Sequence, residues 1–298
     1  MKIFDCFMFY DEEMLLDIRL NTLDKFIDKF IIVESMFTHS GKKRELIFDI
    51  KKFQKFKDKI NYLVVESLPK GIEPINSYDA DDIKESKIIL NAYRREHHQR
   101  NSILNLLKSA EPNDQVIISD VDEIPNLENI NFNEIKNKII LFNQKMFYYK
   151  FNLILENMNW HGSKSCKMKN LISPQWLRDV KDRKYPLWRI DALFSEKKYN
   201  DVFFVQDGGW HFTNIKTPEE IDKKLRSYLH HIEYDQSNIS AKEIDKMIKE
   251  KKPVYDLLAN SSEAKFRSQK KLKTVDMNEL PIYLQKNKEK FNEWILKN

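Results

Sequence analysis

A chain of 298 residues, 41% hydrophobic and 33% charged, has the material for one large domain or two small ones around a sizeable core. Its 51 basic residues face 46 acidic ones, and a net charge of +5 lacks the concentrated basic face that nucleic acid needs, leaving only a weak attraction to an anionic membrane surface. Two cysteines, Cys6 and Cys166, exclude a disulfide framework and a cysteine-ligated zinc site.

The stretch "MKIFDCFMFYDEE" reaches acids too early for a signal peptide, and no apolar run approaches membrane-spanning length. A cytoplasmic chain without a transmembrane segment is expected. "KIFDCFMF" reads as a first strand, and "EEMLLDIRLNTLDKF" as a helix with Leu16, Leu20 and Leu23 on one stripe. "KFIIVES" and "NYLVVES" are two more strands, each ending in Glu-Ser. A long helix is expected over about Lys84 to Ala110, followed by a strand in "VIISDVDEIP". Strands alternating with helices predict an α/β sheet with parallel pairing, whose ligands sit beyond the C-terminal strand ends. Glu34, Glu66 and Asp120 fall at such ends.

"VIISDVDEIP" places Asp120, Asp122 and Glu123 directly after a buried-looking run. Carboxylates are costly to bury without a cation, and alternate residues of an extended chain share a face. Asp120 and Asp122 therefore read either as a hard oxygen site for Mg²⁺ or Mn²⁺ or as a polar turn closed by Pro125. In "YRREHHQRNSILNLL" Arg95, Glu96, Gln99 and Arg100 lie on one helix side. They read as a salt-bridged surface or as guanidinium groups that reach a phosphate or fix the acids.

The middle of the chain, from "KIILFNQKMFYYKFNLIL" through "YNDVFFVQDGGWHF", is rich in strand formers. Five glycines without a G-x-G-x-x-G or P-loop pattern argue against dinucleotide and P-loop cradles. The adjacent pair Gly208 and Gly209 implies unusual backbone angles or a close approach, and His211 follows it as a structural histidine or a metal ligand. "TPEEIDKKLRSYLHHIEYD" starts a helix with Thr217 as N-cap, Pro218 in the first turn and Glu220 completing a capping box. The lysine-rich remainder is expected to be mostly helix. Trp160, Trp176 and Trp210 are candidates for stacking on sugars, with core packing as the plain alternative.

Taken together, "FYDEEMLLDIRLNTL", "FIIVESMFTHSGKKREL", "RREHHQRNSI", "VIISDVDEIP", "WHGSKSCKMKNL", "SPQWLRD" and "GGWHFTNIKTPEEIDKKL" occur in the order they take in glycosyltransferase family seventeen. The chain resembles that family over about its first 235 residues. Its members include β-1,4-mannosyl-glycoprotein 4-β-N-acetylglucosaminyltransferase. The resemblance implies a GT-A-type mixed sheet flanked by helices over residues 1–235, and the lysine-rich remainder, 236–298, reads as a helical extension packed on it. It also implies a UDP-sugar donor (UDP-GlcNAc above all), a divalent metal, inversion at the anomeric carbon, and a glycan or glycoconjugate acceptor. Asp120 and Asp122 match the family's D-x-D, and His211 the place of a third metal or phosphate contact. Glu12, Arg19, Glu34, Arg95 and Arg100 match further motif positions, with Glu12, Glu34, Arg95, Arg100 and Asp120 expected at the donor. Asp11 stands where many members show Asn, and Met14 where they show Asp. For the general base that inversion requires, Asp207 and Asp191 are the candidates.

Two other functions compete with sugar transfer. A metal-dependent phosphohydrolase would use a D-x-D aspartate as nucleophile, but that motif normally opens its domain with Thr or Val where Ile124 stands. A non-enzymatic glycan-binding module would have no use for Asp120 and Asp122.

Overall fold

The computed structural model describes residues 1–185, 195–226, 234–235, 237, 239–255 and 270–297. Strand β1 (Ile3–Phe9), helix α1 (Glu13–Leu23), β2 (Lys29–Ser35), β3 (Ile60–Val65), helix α2 (Asp81–Asn101) and β4 (Gln115–Asp120) build the first half. β1 pairs in parallel with β2 and β4, and β2 with β3. Near-continuous apolar runs form these strands because both faces are covered. Phe7, Phe9, Phe30, Ile32 and Ile117 pack toward α1, while Phe4, Cys6, Ile31, Val33, Val116 and Ile118 pack toward Ile103, Leu107 and Trp176. Cys6 and Cys166 are both free and buried.

The expected helix from Lys84 to Ala110 starts earlier and stops at Asn101, and Ser102–Leu106 continues as a 3₁₀ turn. That turn, rather than more of α2, supplies Ile103 to the sheet.

β4 ends at the acidic turn, and the chain re-enters a sheet at once as β5 (Glu123–Pro125). Then follow β6 (Ile139–Phe142), β7 (Gln144–Tyr148), β8 (Leu153–Trp160), β9 (Lys164–Lys167), helix α3 (Pro174–Asp179), β10 (Val202–Val205) and β11 (Gly209–Thr213). Helices α4 (Pro218–Leu225) and α5 (Ala241–Lys249), strand β12 (Lys273–Thr274) and helix α6 (Ile282–Lys286) complete the described elements. The fold is thus mixed α/β, with a seven-stranded sheet ordered β10-β6-β9-β4-β1-β2-β3 and a five-stranded sheet ordered β12-β8-β7-β11-β5. The β4–β5 turn joins them.

The described C-terminal residues pack on the rest of the fold. β12 adds a strand beside β8, and Leu280, Leu284 and Phe291 enter the same apolar cluster as α1. The Thr217–Glu220 capping box of α4 forms as the sequence indicates. Among the described residues no helix is long and apolar enough to cross a membrane.

A charged pair lies wholly inside this fold. Arg19, on α1, pairs with Asp5 of β1 through Nε (2.8 Å) and Nη2 (2.5 Å), both residues being fully buried. Its Nη1 donates to the carbonyls of Asp120 (3.1 Å), Val121 (3.4 Å) and Glu123 (2.7 Å), and Nη2 also to Ser119 Oγ (2.9 Å). Removing one partner of such a pair strands the other. Arg19→Met is expected to cost about 3–5 kcal/mol, and adding Asp5→Leu to recover part of that loss. Urea unfolding followed by circular dichroism measures both; a single variant within about 1 kcal/mol of wild type would contradict the assignment.

Candidate active site

The site is organised by the turn between β4 and β5. Asp120 is its first acid. Arg100 of α2 reaches Asp120 Oδ1 at 3.1 Å, and Arg178 of α3 reaches Oδ2 at 2.9 Å. Burial pushes the Asp120 pKa up, but Arg178 and then Arg100 outweigh it and hold the carboxyl well below the usual range. Glu123 fixes the turn from beneath: it accepts from the Asp120 backbone N–H (2.7 Å), from Trp160 Nε1 (2.6 Å) and from Arg178 (2.9 and 3.0 Å). Arg178 also donates to the Gly162 carbonyl. A Cβ on Gly162 would collide with the Glu123 carboxylate and the Trp160 indole, so this glycine serves close approach.

Asp122 takes other partners. His211 Nε2 lies 3.6 Å from its Oδ2, and Lys224 Nζ 3.8 Å away. Strand register brings the imidazole here, because β11 pairs antiparallel with β5 and sets His211 opposite Glu123. The glycine pair makes that pairing possible. Gly209 has φ +128° and its backbone lies against Ile124 and Asn126; a Cβ on Gly208 would meet the Asn143 nitrogen at 2.7 Å. His211 stacks on Trp160 with ring centroids 5.1 Å apart, and its Nδ1 is buried without a hydrogen-bond partner. The Asp122 carboxyl is raised by burial but lowered more by His211 and Lys224, and settles below its ordinary value.

A divalent cation fits the Asp122–His211 pair. Two ligands each about 2.1 Å from one ion lie roughly 3.0–3.6 Å apart at octahedral to trigonal angles, the separation seen here. Among the described residues no three His, Cys, Asp or Glu side chains form a ready-made cage.

Glu12 stands close enough to Asp122 to feel its charge, and accepts from the Asp11 backbone N–H at 3.1 Å. Asp11 itself pairs with Lys216 at 2.6 Å. Glu34 and Arg95 are placed elsewhere. Glu34 is saturated by Arg44 (2.9 Å), Tyr62 (2.8 Å) and the N–H groups of Ile47 and Phe48. Arg95 donates to the His39 carbonyl (2.9 Å) and lies over Gly41, so it shapes the turn beyond β2. Asp207 sits in the turn between β10 and β11 with φ 47°, its carboxylate 84% exposed and 3.7 Å from Lys145. Asp191 lies outside the described residues. Of the three tryptophans, Trp176 and Trp210 donate to backbone carbonyls of Glu196 and Glu279, and Trp160 alone is built into the acidic turn.

The model for glycosyltransferase family 17 matches residues 1–297. The chain belongs to glycosyltransferase family 17. The match runs well past residue 235, where the motif resemblance stops, consistent with the deep packing of the C-terminal segment. A search of curated proteins returns no match. For a family 17 glycosyltransferase, the residues that motif reading left without a role are Arg178 and Lys224. They lie within "SPQWLRD" and "TPEEIDKKL" but carry no local mark that sets them apart from other basic side chains.

Glu12 yields a test of the site's electrostatics. Burial raises its pKa; Lys224 opposes this, Asp11 raises it further, and the result lies above the ordinary carboxylate value. Above that raised value the group is ionised both folded and unfolded, and its cost to the fold is present in full. Below the unfolded value it is protonated in both states and the cost vanishes. Glu12→Gln is therefore expected to raise Tm near pH 7.5, with the gain fading toward about pH 4. Thermal melts across that range check it, and a variant no more stable at either end would refute it.

Proposed function

We propose that this family 17 glycosyltransferase moves a sugar from a nucleotide donor, UDP-GlcNAc foremost, to a hydroxyl of a glycan or glycoconjugate, with inversion and with Mn²⁺ or Mg²⁺, on a GT-A-type fold. The observation that carries the proposal is the division of labour in the acidic turn: Asp120 is clamped by two arginines, while Asp122 faces His211 at the end of a parallel strand. Asp122 and His211 would hold the metal, which when bound offsets the charge developing on a departing diphosphate.

The chain's own groups account for the rest. Lys224 is lowered by burial but raised more by Asp122, Glu12 and Asp11, so it stays cationic beside the leaving group. Asp120, kept ionised, accepts hydrogen bonds from donor hydroxyls while Arg100 and Arg178 hold its plane. Arg19 and Glu123 keep the turn from relaxing when the donor leaves. Taking the acceptor's proton falls to a carboxylate; Asp207 and Asp191 remain the two the sequence offers.

UDP is expected to bind at least about tenfold more weakly in excess chelator than with Mn²⁺, because the diphosphate would face Asp122 uncompensated. Equal calorimetric affinity in both conditions would remove the metal. Asp122→Ala is expected to abolish UDP release from UDP-GlcNAc while retaining the native far-ultraviolet spectrum, and His211→Ala to lower turnover by about 10². Near-wild-type turnover in either variant would overturn the assignment of that residue.

A further inference from the structure

Between β2 and β3 the chain carries a concentration of charge that the proposed site does not use. Residues 42–57 hold seven basic side chains against two acids, an excess equal to the net charge of +5 on the whole chain. Lys42, Lys43, Lys51, Lys52, Lys55 and Lys57 are all exposed. Lys52 pairs with Glu13 of α1 (2.5 Å) and Lys55 with Asp24 just beyond it (3.4 Å). The ammonium groups of Lys42, Lys43, Lys51 and Lys57 meet no carboxylate among the described residues. Three aliphatic side chains stand in the same stretch, Leu46 and Ile47 each 41% exposed and Ile50 36%.

The strap that carries these groups is firmly held. Arg44 pairs with Glu34 (2.9 Å) and donates to the carbonyls of Ser35 (3.0 Å) and Tyr10 (2.5 Å). Glu34 also accepts from the N–H groups of Ile47 and Phe48. Phe48 turns inward, stacked on Tyr62 and Phe53 with ring centroids 4.5 and 5.9 Å away. In the 3₁₀ turn that follows, Ile50–Phe56, Phe53 and Phe56 are buried and the lysines are left outside. The aromatic rings are thus spent on the core, and the surface keeps chiefly lysines and aliphatics. Glu34 lies at the C-terminal end of β2, two strands from Asp120 in the order β4-β1-β2, or about 10 Å across the sheet. The strap therefore crosses the same end of the parallel sheet as the acidic turn.

That composition discriminates among anionic partners. Protein interfaces are depleted in lysine and enriched in Trp, Tyr and Arg. Single-stranded nucleic acid calls for exposed rings on which bases stack. An anionic bilayer asks for clustered ammonium groups at the headgroups and for aliphatics that reach the acyl boundary beside the lysine stems. We infer that residues 42–57 form a docking surface for an anionic membrane, with Lys42, Lys43, Lys51 and Lys57 at the headgroups and Leu46, Ile47 and Ile50 entering the interface. This assignment does not depend on sugar transfer.

Co-sedimentation of the full chain with lipid vesicles is the test. Phosphatidylcholine vesicles containing about 30% phosphatidylglycerol are expected to bind wild type, and pure phosphatidylcholine vesicles to bind it at least about tenfold more weakly. Raising the salt to about 0.5 M is expected to weaken the anionic binding. Lys42→Glu with Lys43→Glu, and separately Leu46→Asn with Ile47→Asn, replace exposed side chains that take no part in the proposed site. Each pair is expected to lower binding about fivefold or more with the wild-type far-ultraviolet spectrum retained. No binding to either vesicle, equal binding to both, or binding that either pair of substitutions leaves unchanged would overturn the inference. A single-stranded dT oligonucleotide bound in place of the vesicles would also overturn it and assign the patch to nucleic acid.

Discussion

A guanidinium buried beyond the reach of water shapes the turn that carries the proposed site. Arg19 satisfies Asp5 on one side and three successive-turn carbonyls on the other, so the peptide units around Asp120, Val121 and Glu123 have one low-energy arrangement. A charge placed so deep is tolerable because its N–H groups find acceptors there, and withdrawing any of them leaves an unmet polar group in the core. The turn is thereby fixed from the α1 side of the sheet, and Glu123 with Arg178 fixes it from the other.

That frame explains why two aspartates separated by one residue behave differently. Asp120 ends β4 between two arginines and acts as a permanently ionised anchor. Asp122 lies past the strand end, where its neighbours are an imidazole and an ammonium rather than guanidinium forks. In the proposed metal-bound state a divalent ion would meet Asp122 beside an imidazole and an ammonium, whereas at Asp120 it would have to replace two guanidinium contacts at 2.9 and 3.1 Å. One motif thus holds a fixed carboxylate and an available one, and the pairing of β5 with β11 delivers His211 to the available one.

Much of this was legible in the sequence because it is local. Apolar runs ending in acids gave β1 to β4, the Thr217–Glu220 spacing gave the start of α4, and scarce glycines marked Gly208 and Gly209 as a place of close backbone approach. Arg178 and Lys224 were invisible as site residues, since nothing in a hydrophobic pattern says which of many basic side chains will meet an acid distant in sequence. Glu34 and Arg95 stand at the expected strand end and helix side, yet spend their bonding on Arg44, Tyr62 and the His39 carbonyl. The C-terminal segment reads from its composition as lysine-rich helix packed on the fold, and Leu280, Leu284 and Phe291, at the i, i+4, i+11 spacing of one helical stripe, enter the α1 cluster.

The proposed chemistry requires Asp122 and His211 to share one ion with the donor diphosphate. Pulsed electron paramagnetic resonance of Mn²⁺ bound to the chain with UDP tests this without turnover. Wild type is predicted to show both an imidazole-nitrogen coupling and a phosphorus coupling, and His211→Ala to lose the first while keeping the second. A phosphorus coupling in wild type with no imidazole nitrogen, or a nitrogen coupling that survives in His211→Ala, would contradict it.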